Sequence, residues 1–159
     1  MSEASYIELM QQVEKMVKTE EIPYFIQRTP FRQQQEIFFV LKSFCEARTS
    51  ANHYKRLEQT KPMYKKERKQ SEYLEILMST RLKLKLQASD EIVLKKYVIG
   101  LRTKLENALI ETDVKKRFKL YEFICAGCNL CKVDNKEIME QIAQIKEDAV
   151  QIIRDIPTM

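Results

Sequence analysis

Only two glycines, Gly100 and Gly127, occur in 159 residues, together with four prolines, a single histidine and no tryptophan. Hairpins, tight turns and phosphate-cradling loops rely on glycine for positive φ, whereas glycine weakens helices. Its scarcity beside abundant Lys, Glu, Gln, Leu, Ile and Met predicts an all-α protein. One histidine, His53, removes every device that needs two, including HExxH and any two-histidine metal face. A Cys–His nucleophile pair needs only one, but His53 stands in a strongly basic stretch expected to be exposed. GxGxxG, the glycine-rich loop ending in lysine and a hydroxyl residue, and GxSxG are all missing. Carboxylates fall mostly at helix-surface spacings beside Lys or Arg, where solvated pairs explain them. The expectation is a protein that is not an enzyme and carries no cofactor.

Long apolar runs are absent as well. Nothing approaches the roughly 20 residues needed to span a bilayer, and the N-terminal MSEASYIELM lacks the basic and apolar regions of a secretory signal. Ser2 stands where myristoylation needs glycine, and DIPTM is no prenylation or retention signal. Three of the four cysteines crowd into seven residues, which does not make a disulfide framework. The expectation from these features is a chain inside the cell, in a reducing compartment (cytoplasm or nucleus), without a membrane partner.

What is present is helical periodicity. At 44% apolar and 32% charged residues, the chain suits one helical domain over 1–159. Tyr6, Leu9, Val13 and Met16 form an apolar stripe, so a first helix is expected from Ser2 or Ser5 to about Thr19. Pro23 and Pro30 interrupt the pattern beyond Thr19. Ile22, Tyr24, Phe25 and Ile26 make that connection apolar and expected to pack on the bundle. Thr29 and Pro30 then read as a cap and a first-turn proline for a second helix through Ile37, Phe38, Leu41, Phe44 and Cys45 to about Thr60.

A third helix is expected from about Pro62 to Gln87, with Tyr73, Leu74, Leu77 and Met78 inward. Its tail, RLKLKLQ, alternates with a strand period, but no second alternating run exists to pair with it. Ser89 and Asp90 cap a fourth helix with the stripe Val93, Tyr97, Leu101, Leu105 and Leu109. Asp113 caps a fifth, carrying Phe118, Tyr121 and Ile124. Asp134 with Glu137 resembles a capping box for the last helix. There Ile138, Ile142, Ile145, Ala149, Ile152 and Ile156 keep heptad-like spacing. That seam suits either the chain's own core or a partner helix, including a second copy, through residues 138–156. The predicted architecture is an irregular bundle of five to six helices closed by an Ile-rich C-terminal helix.

Charge is distributed unevenly: residues 1–54 carry a net −1, 55–119 a net +9 and 120–159 a net −3. In HYKRLEQTKPMYKKERKQ, Lys55, Arg56, Lys61, Lys65, Lys66, Arg68 and Lys69 face only Glu58 and Glu67. Tyr54 and Tyr64 are interleaved with them. A second cluster, Lys115, Lys116, Arg117 and Lys119, opens the fifth helix and opposes its macrodipole. Cations displace the counterions of nucleic-acid phosphates, and an aromatic face can stack an unpaired base. No helix-turn-helix spacing, RNP-type motif or zinc-finger pattern accompanies them. A solvated lysine face and an acidic protein surface are the competing explanations.

CAGCNLC is the remaining feature. Cys125, Cys128 and Cys131 match the front of a ferredoxin cluster loop, yet Asn135 stands where the next cysteine belongs. Cys45 would be the fourth thiolate, or His53 the fourth ligand of a zinc site. The simpler reading gives all four cysteines to helix faces and a helix end, with Gly127 and Asn129 as C-terminal residues. The functional expectation is a nucleic-acid-associated accessory protein working through residues 54–69 and 115–119. A protein–protein adaptor using the last helix, residues 22–26 or the basic face is the alternative, and a small Fe–S or zinc protein is the third.

Overall fold

The computed structural model describes residues 30–154, with side chains from residue 35 onward. The expected first helix, the 22–26 connection, the Thr29 cap and Ile156 lie outside them. Helix α1 runs Pro30–Thr60, a 3-10 turn Pro62–Tyr64, α2 Lys65–Ala88, α3 Glu91–Ile110 and α4 Val114–Leu130. Helix α5, Lys136–Asp148, is succeeded after a turn at Ala149 by the short α6, Val150–Arg154. Among the described residues there is no strand. The all-α bundle with an Ile-rich C-terminal helix is what the chain forms.

Local chemistry sets each boundary. Pro62 has no N–H to continue the ladder of α1, and Lys61 before it is extended at φ −134°, ψ 92°, as a residue preceding proline prefers. Asp90 accepts from the Val93 amide at 2.9 Å and caps α3. Asp113 accepts from the Lys115 and Lys116 amides at 3.0 and 3.1 Å and caps α4. The last cap is one residue later than the capping-box pattern implies: Asn135, not Asp134, accepts from the Ile138 amide at 3.1 Å. Either residue type can cap; the one whose extended backbone aims its side chain at the first turn is Asn135.

RLKLKLQ is helical, and the reason lies across the hairpin. Arg81 and Lys85, four apart on one helix face, both reach Glu36 of α1, at 2.9 and 3.0 Å. Leu82 and Leu86 share the neighbouring face and are fully buried. Helical spacing, unlike alternation, lets the segment bury leucines and ion pairs together against α1. Leu109 departs from the predicted stripe of α3, being partly exposed, while Val93, Tyr97, Leu101 and Leu105 enter the core.

The isoleucine seam is intramolecular. Ile138, Ile142, Ile145 and Ile152 are each at most 3% exposed, and Ala149 is fully buried between them. Each isoleucine gains about 1.5–3 kcal/mol from leaving water. The expectation that these four residues form a seam for a partner helix is therefore corrected: α3 and α4 already cover them.

Helix directions emerge from a few contacts. Phe38 stacks on Phe123 (6.1 Å) and Tyr97 (5.5 Å). Leu41 approaches Gly127, while Phe44 and Ala51 share a groove with Leu130. Higher numbers on α1 thus meet higher numbers on α4, so these helices run parallel, and α3 runs antiparallel to both. The two glycines mark the tightest crossings. A Cβ at Gly100 would collide with the Phe38 ring, and one at Gly127 would lie 2.7 Å from Leu101 and 3.0 Å from the Tyr97 hydroxyl. Gly127 is thus a packing residue inside α4, not the helix stop suggested by its place in CAGCNLC.

Candidate nucleic-acid interface on the α1–α2 hairpin

The apolar stripe of α1, Ile37, Val40, Leu41, Phe44, Ala47 and Ala51, stops at Ala51, and on α2 burial resumes only at Ser71 and Tyr73. No residue from 52 to 70 is buried. The hairpin tip is therefore two helix ends and a 3-10 turn resting on each other beyond the core. Nine residues of helix carry α1 roughly 14 Å past its last buried position. The densest charge of the chain falls on this tip.

Two devices hold the tip together without a core. Arg68 pairs with Glu58 across the hairpin and with Glu72 at 2.9 Å one turn along α2. These carboxylates hold the guanidinium pKa above its ordinary value through their hydrogen bonds. Tyr54 and Tyr64 stack across the turn with centroids 6.0 Å apart, and His53 meets Tyr54 edge-on at 5.4 Å. Arg68 is thus a clasp, and Tyr64 spends one ring face on Tyr54; neither is a free contact for a ligand as the sequence suggested. One carboxylate oxygen of Glu67 is buried here without a hydrogen-bond partner.

The remaining cations are differently placed. Lys55, Arg56, Lys61 and Lys65 are exposed and Lys66 is half-exposed. Among the described residues none of the five forms an ion pair. Held on two short helix ends, they repel one another, and an anion laid along the tip relieves that repulsion. At the base of the tip a groove of about 500 Å³ is lined by Lys55, Glu75, Ile76, Lys83 and Leu130, among others. Lys83 was missed by sequence reasoning because it lies in the leucine-rich tail of α2. Its spacing from buried Leu82 and Leu86 was the available signal.

The second basic cluster divides. Lys115, Lys116 and Lys119 are exposed, but Arg117 is only 7% exposed. Its guanidinium donates to the Ile152 carbonyl at 2.8 Å, Leu109 at 3.0 Å and Glu111 at 3.1 Å. A cation among carbonyls left over at helix ends is favourable, and this one ties α3, α4 and α6 together. Arg117 as a phosphate contact is therefore corrected to a structural residue. Because α4 runs parallel to α1, the exposed lysines lie at the opposite end of the bundle from the hairpin tip. The separation is on the order of 30 Å. The two clusters do not form one surface.

Three of the cysteines, Cys45, Cys128 and Cys131, lie around Tyr97, whose hydroxyl donates to the Gly127 carbonyl at 2.6 Å inside the core, while Cys125 is hydrogen-bonded to Tyr121. Burial first, then the neighbouring thiols of Cys131, Cys128 and Cys45, push the Tyr97 hydroxyl well above its ordinary pKa. Burial likewise raises the Cys128 thiol to about 12 and the Cys131 and Cys45 thiols to about 11. Such thiols are protonated and unreactive at neutral pH. Among the described residues no group of three or more His, Cys, Asp or Glu is placed to hold a metal ion. Cys45, Cys125, Cys128 and Cys131 therefore do not form the four-ligand set the metal alternative requires, and His53 belongs to the hairpin tip.

No helix among the described residues is long and apolar enough to cross a membrane. Comparison with known proteins found no matching family model, no matching curated protein and no matching solved structure.

Proposed function

We propose that this chain is a non-enzymatic accessory protein that binds nucleic acid through phosphates at the tip of the α1–α2 hairpin. The observation that carries the reading is the set Lys55, Arg56, Lys61, Lys65 and Lys66. These cations sit beyond the core, without ion pairs among the described residues, on a scaffold clasped by Arg68. Exposed lysines and an arginine on helix ends contact the phosphate backbone and do not read bases, so binding is independent of sequence. Lys83 lies in the groove beside Lys55, where Glu72 and Glu75 balance the two lysines, so the phosphate contacts are confined to the tip.

The test is binding to a labelled duplex and a labelled single strand as salt is raised. Five neutralised phosphates give a log–log slope of roughly −4 to −5 on duplex. Affinity then falls roughly 10²- to 10³-fold between 50 and 200 mM salt. Lys65→Glu with Lys66→Glu should abolish binding, and Lys115→Glu with Lys116→Glu should leave it nearly intact. A flat salt response, or equal losses from both pairs, would sink the proposal.

A second reading, an acidic protein docking on the same cations, has one observation in its favour. Ile76 is 63% exposed in a groove lined by Lys55 and Lys83 but also by Glu72 and Glu75, and an exposed apolar contact among charges of both signs suits a protein partner better than a phosphate chain. Ile76→Ser separates the two, weakening a protein complex while leaving nucleic-acid affinity unchanged.

A further inference from the structure

The groove at the base of the hairpin tip is one part of a longer track. A hollow of about 400 Å³ lined by Lys55, Glu58, Gln59 and Arg68 adjoins it through Lys55, so the two lie in line between α1 and α2. From α1 the track takes Ala51, Asn52, Lys55, Glu58 and Gln59. From α2 it takes Arg68, Glu72, Glu75, Ile76, Ser79 and Lys83. Each set keeps to the spacings of a single helix face. Arg68 to Lys83 is about 22 Å of helix, room for a partner of about four turns. Phe44, Ala51 and Leu130 line the inner end and are buried, while Ile76 stands exposed on the wall.

We infer that this track holds a helix of another protein, one that brings an apolar side chain to Ile76 and charges of both signs beside it. The first argument is the track itself. Helix α4 already lies on α1, through Phe123 against Phe38 and Gly127 against Leu41, and it ends at Leu130, inside the groove. Asn52 and Lys55 stand two heptads beyond Phe38 and Leu41, on nearly the same side of α1. A helix laid past Leu130 therefore meets α1 as α4 does. The second argument is charge. Arg68 takes up Glu58 and Glu72, and among the described residues Lys55, Glu75 and Lys83 form no ion pair. A phosphate chain or a wholly acidic protein would set anions beside Glu75. A helix bearing a cation for Glu75 and an anion for Lys83 suits both. Those two residues are about 12 Å apart along α2, close to two turns of a partner helix. An apolar anchor within a polar rim is how an amphipathic helix is held in a groove. Of the proposed phosphate contacts only Lys55 lines the track, so this inference stands whether or not the tip binds nucleic acid.

The experiment uses the full chain and a labelled helical peptide of about four turns, read by fluorescence anisotropy. The peptide carries a leucine beside a lysine, with a glutamate two turns away on the same face. Its twin has the lysine and glutamate exchanged. The unaltered protein should bind the first peptide and prefer it to the twin. Ile76→Ser should weaken that binding roughly tenfold or more and leave duplex affinity unchanged. Glu75→Lys with Lys83→Glu should reverse the preference in favour of the twin, a result that only a folded groove can give. The proposal is overturned where neither peptide binds, where Ile76→Ser binds as the unaltered protein does, or where the exchanged protein keeps the original preference. Loss of duplex binding in Ile76→Ser assigns the groove to nucleic acid and overturns it. A doubled mass in solution that Ile76→Ser returns to monomer assigns it to a second copy and overturns it too.

Discussion

The two basic clusters of this chain look alike as strings of Lys and Arg and end in opposite situations. Along the hairpin tip, Lys55, Arg56, Lys61, Lys65 and Lys66 lie beyond the last buried residue of either helix. At the start of α4, Arg117 is drawn inward to three carbonyls, and Asp113 caps the amides of Lys115 and Lys116. That cap offsets the adverse position of cations at a helix N-terminus. The difference teaches that a charge run is an available surface only where the fold has not already used its members. Even within the tip, Arg68 is used by Glu58 and Glu72.

That contrast can be broken at several points. The broadest effect is expected from alkali, which acts on several buried groups of the body together. Cys128, Cys131 and Cys45 keep their protons up to about 12, 11 and 11, against an ordinary 9.0. The unfolded chain loses those protons first. Their contribution to stability is whole below pH 9 and is lost as pH rises through the folded values. Urea midpoints should therefore fall steadily above pH 9, and a midpoint constant to pH 11 would contradict this burial. Next comes Arg117→Met, which strands three carbonyls and should cost about 2–4 kcal/mol. Arg117→Lys should restore little, lacking the planar fork. Denaturant titration measures both.

Gly127→Val tests the crossing of α3 and α4 and should cost about 1–3 kcal/mol through overpacking against Leu101 and Leu41. Asp113→Ala removes one cap and should cost about 1 kcal/mol. The smallest effect on stability belongs to the tip. Lys65→Met with Lys66→Met should stay within about 0.5 kcal/mol per site. In nucleic-acid binding, however, every lysine removed from a phosphate should shrink the salt slope by about 0.9. Losses of stability at the tip that rival those at Arg117 would erase the distinction between the clusters.

Much of the architecture could be read from particular residues. Pro30 and Pro62 delimit α1, Asp90 and Asp113 cap their helices, and the spacing of Ile138, Ile142 and Ile145 identifies the buried side of α5. These signals are local, acting within one or two turns. The candidate site was legible as composition between 53 and 70, but its grouping was not. Period and charge cannot say that Arg68 is spoken for, that Lys83 joins Lys55, or that Lys115 lies at the other end of the bundle. CAGCNLC was the clearest misdirection. Its spacing suggests a ligand loop, while Gly127 exists to let Leu101 and Tyr97 close on α4.

By itself, then, the sequence determined that the chain is helical, where most of its helices begin, and which segment concentrates positive charge. Glycine scarcity, proline positions, capping side chains and the 3.6-residue period act along the chain and need no distant partner. Only the tertiary structure decided which cations remain outside and which cysteines disappear into the core. It also decided that the isoleucine seam closes on its own bundle. Each of those outcomes depends on what a neighbouring helix brings to the same place, such as the carbonyls of Leu109 and Ile152 around Arg117. Arg117 and Ile152, 35 positions apart, meet there only because α4 and α6 pack together.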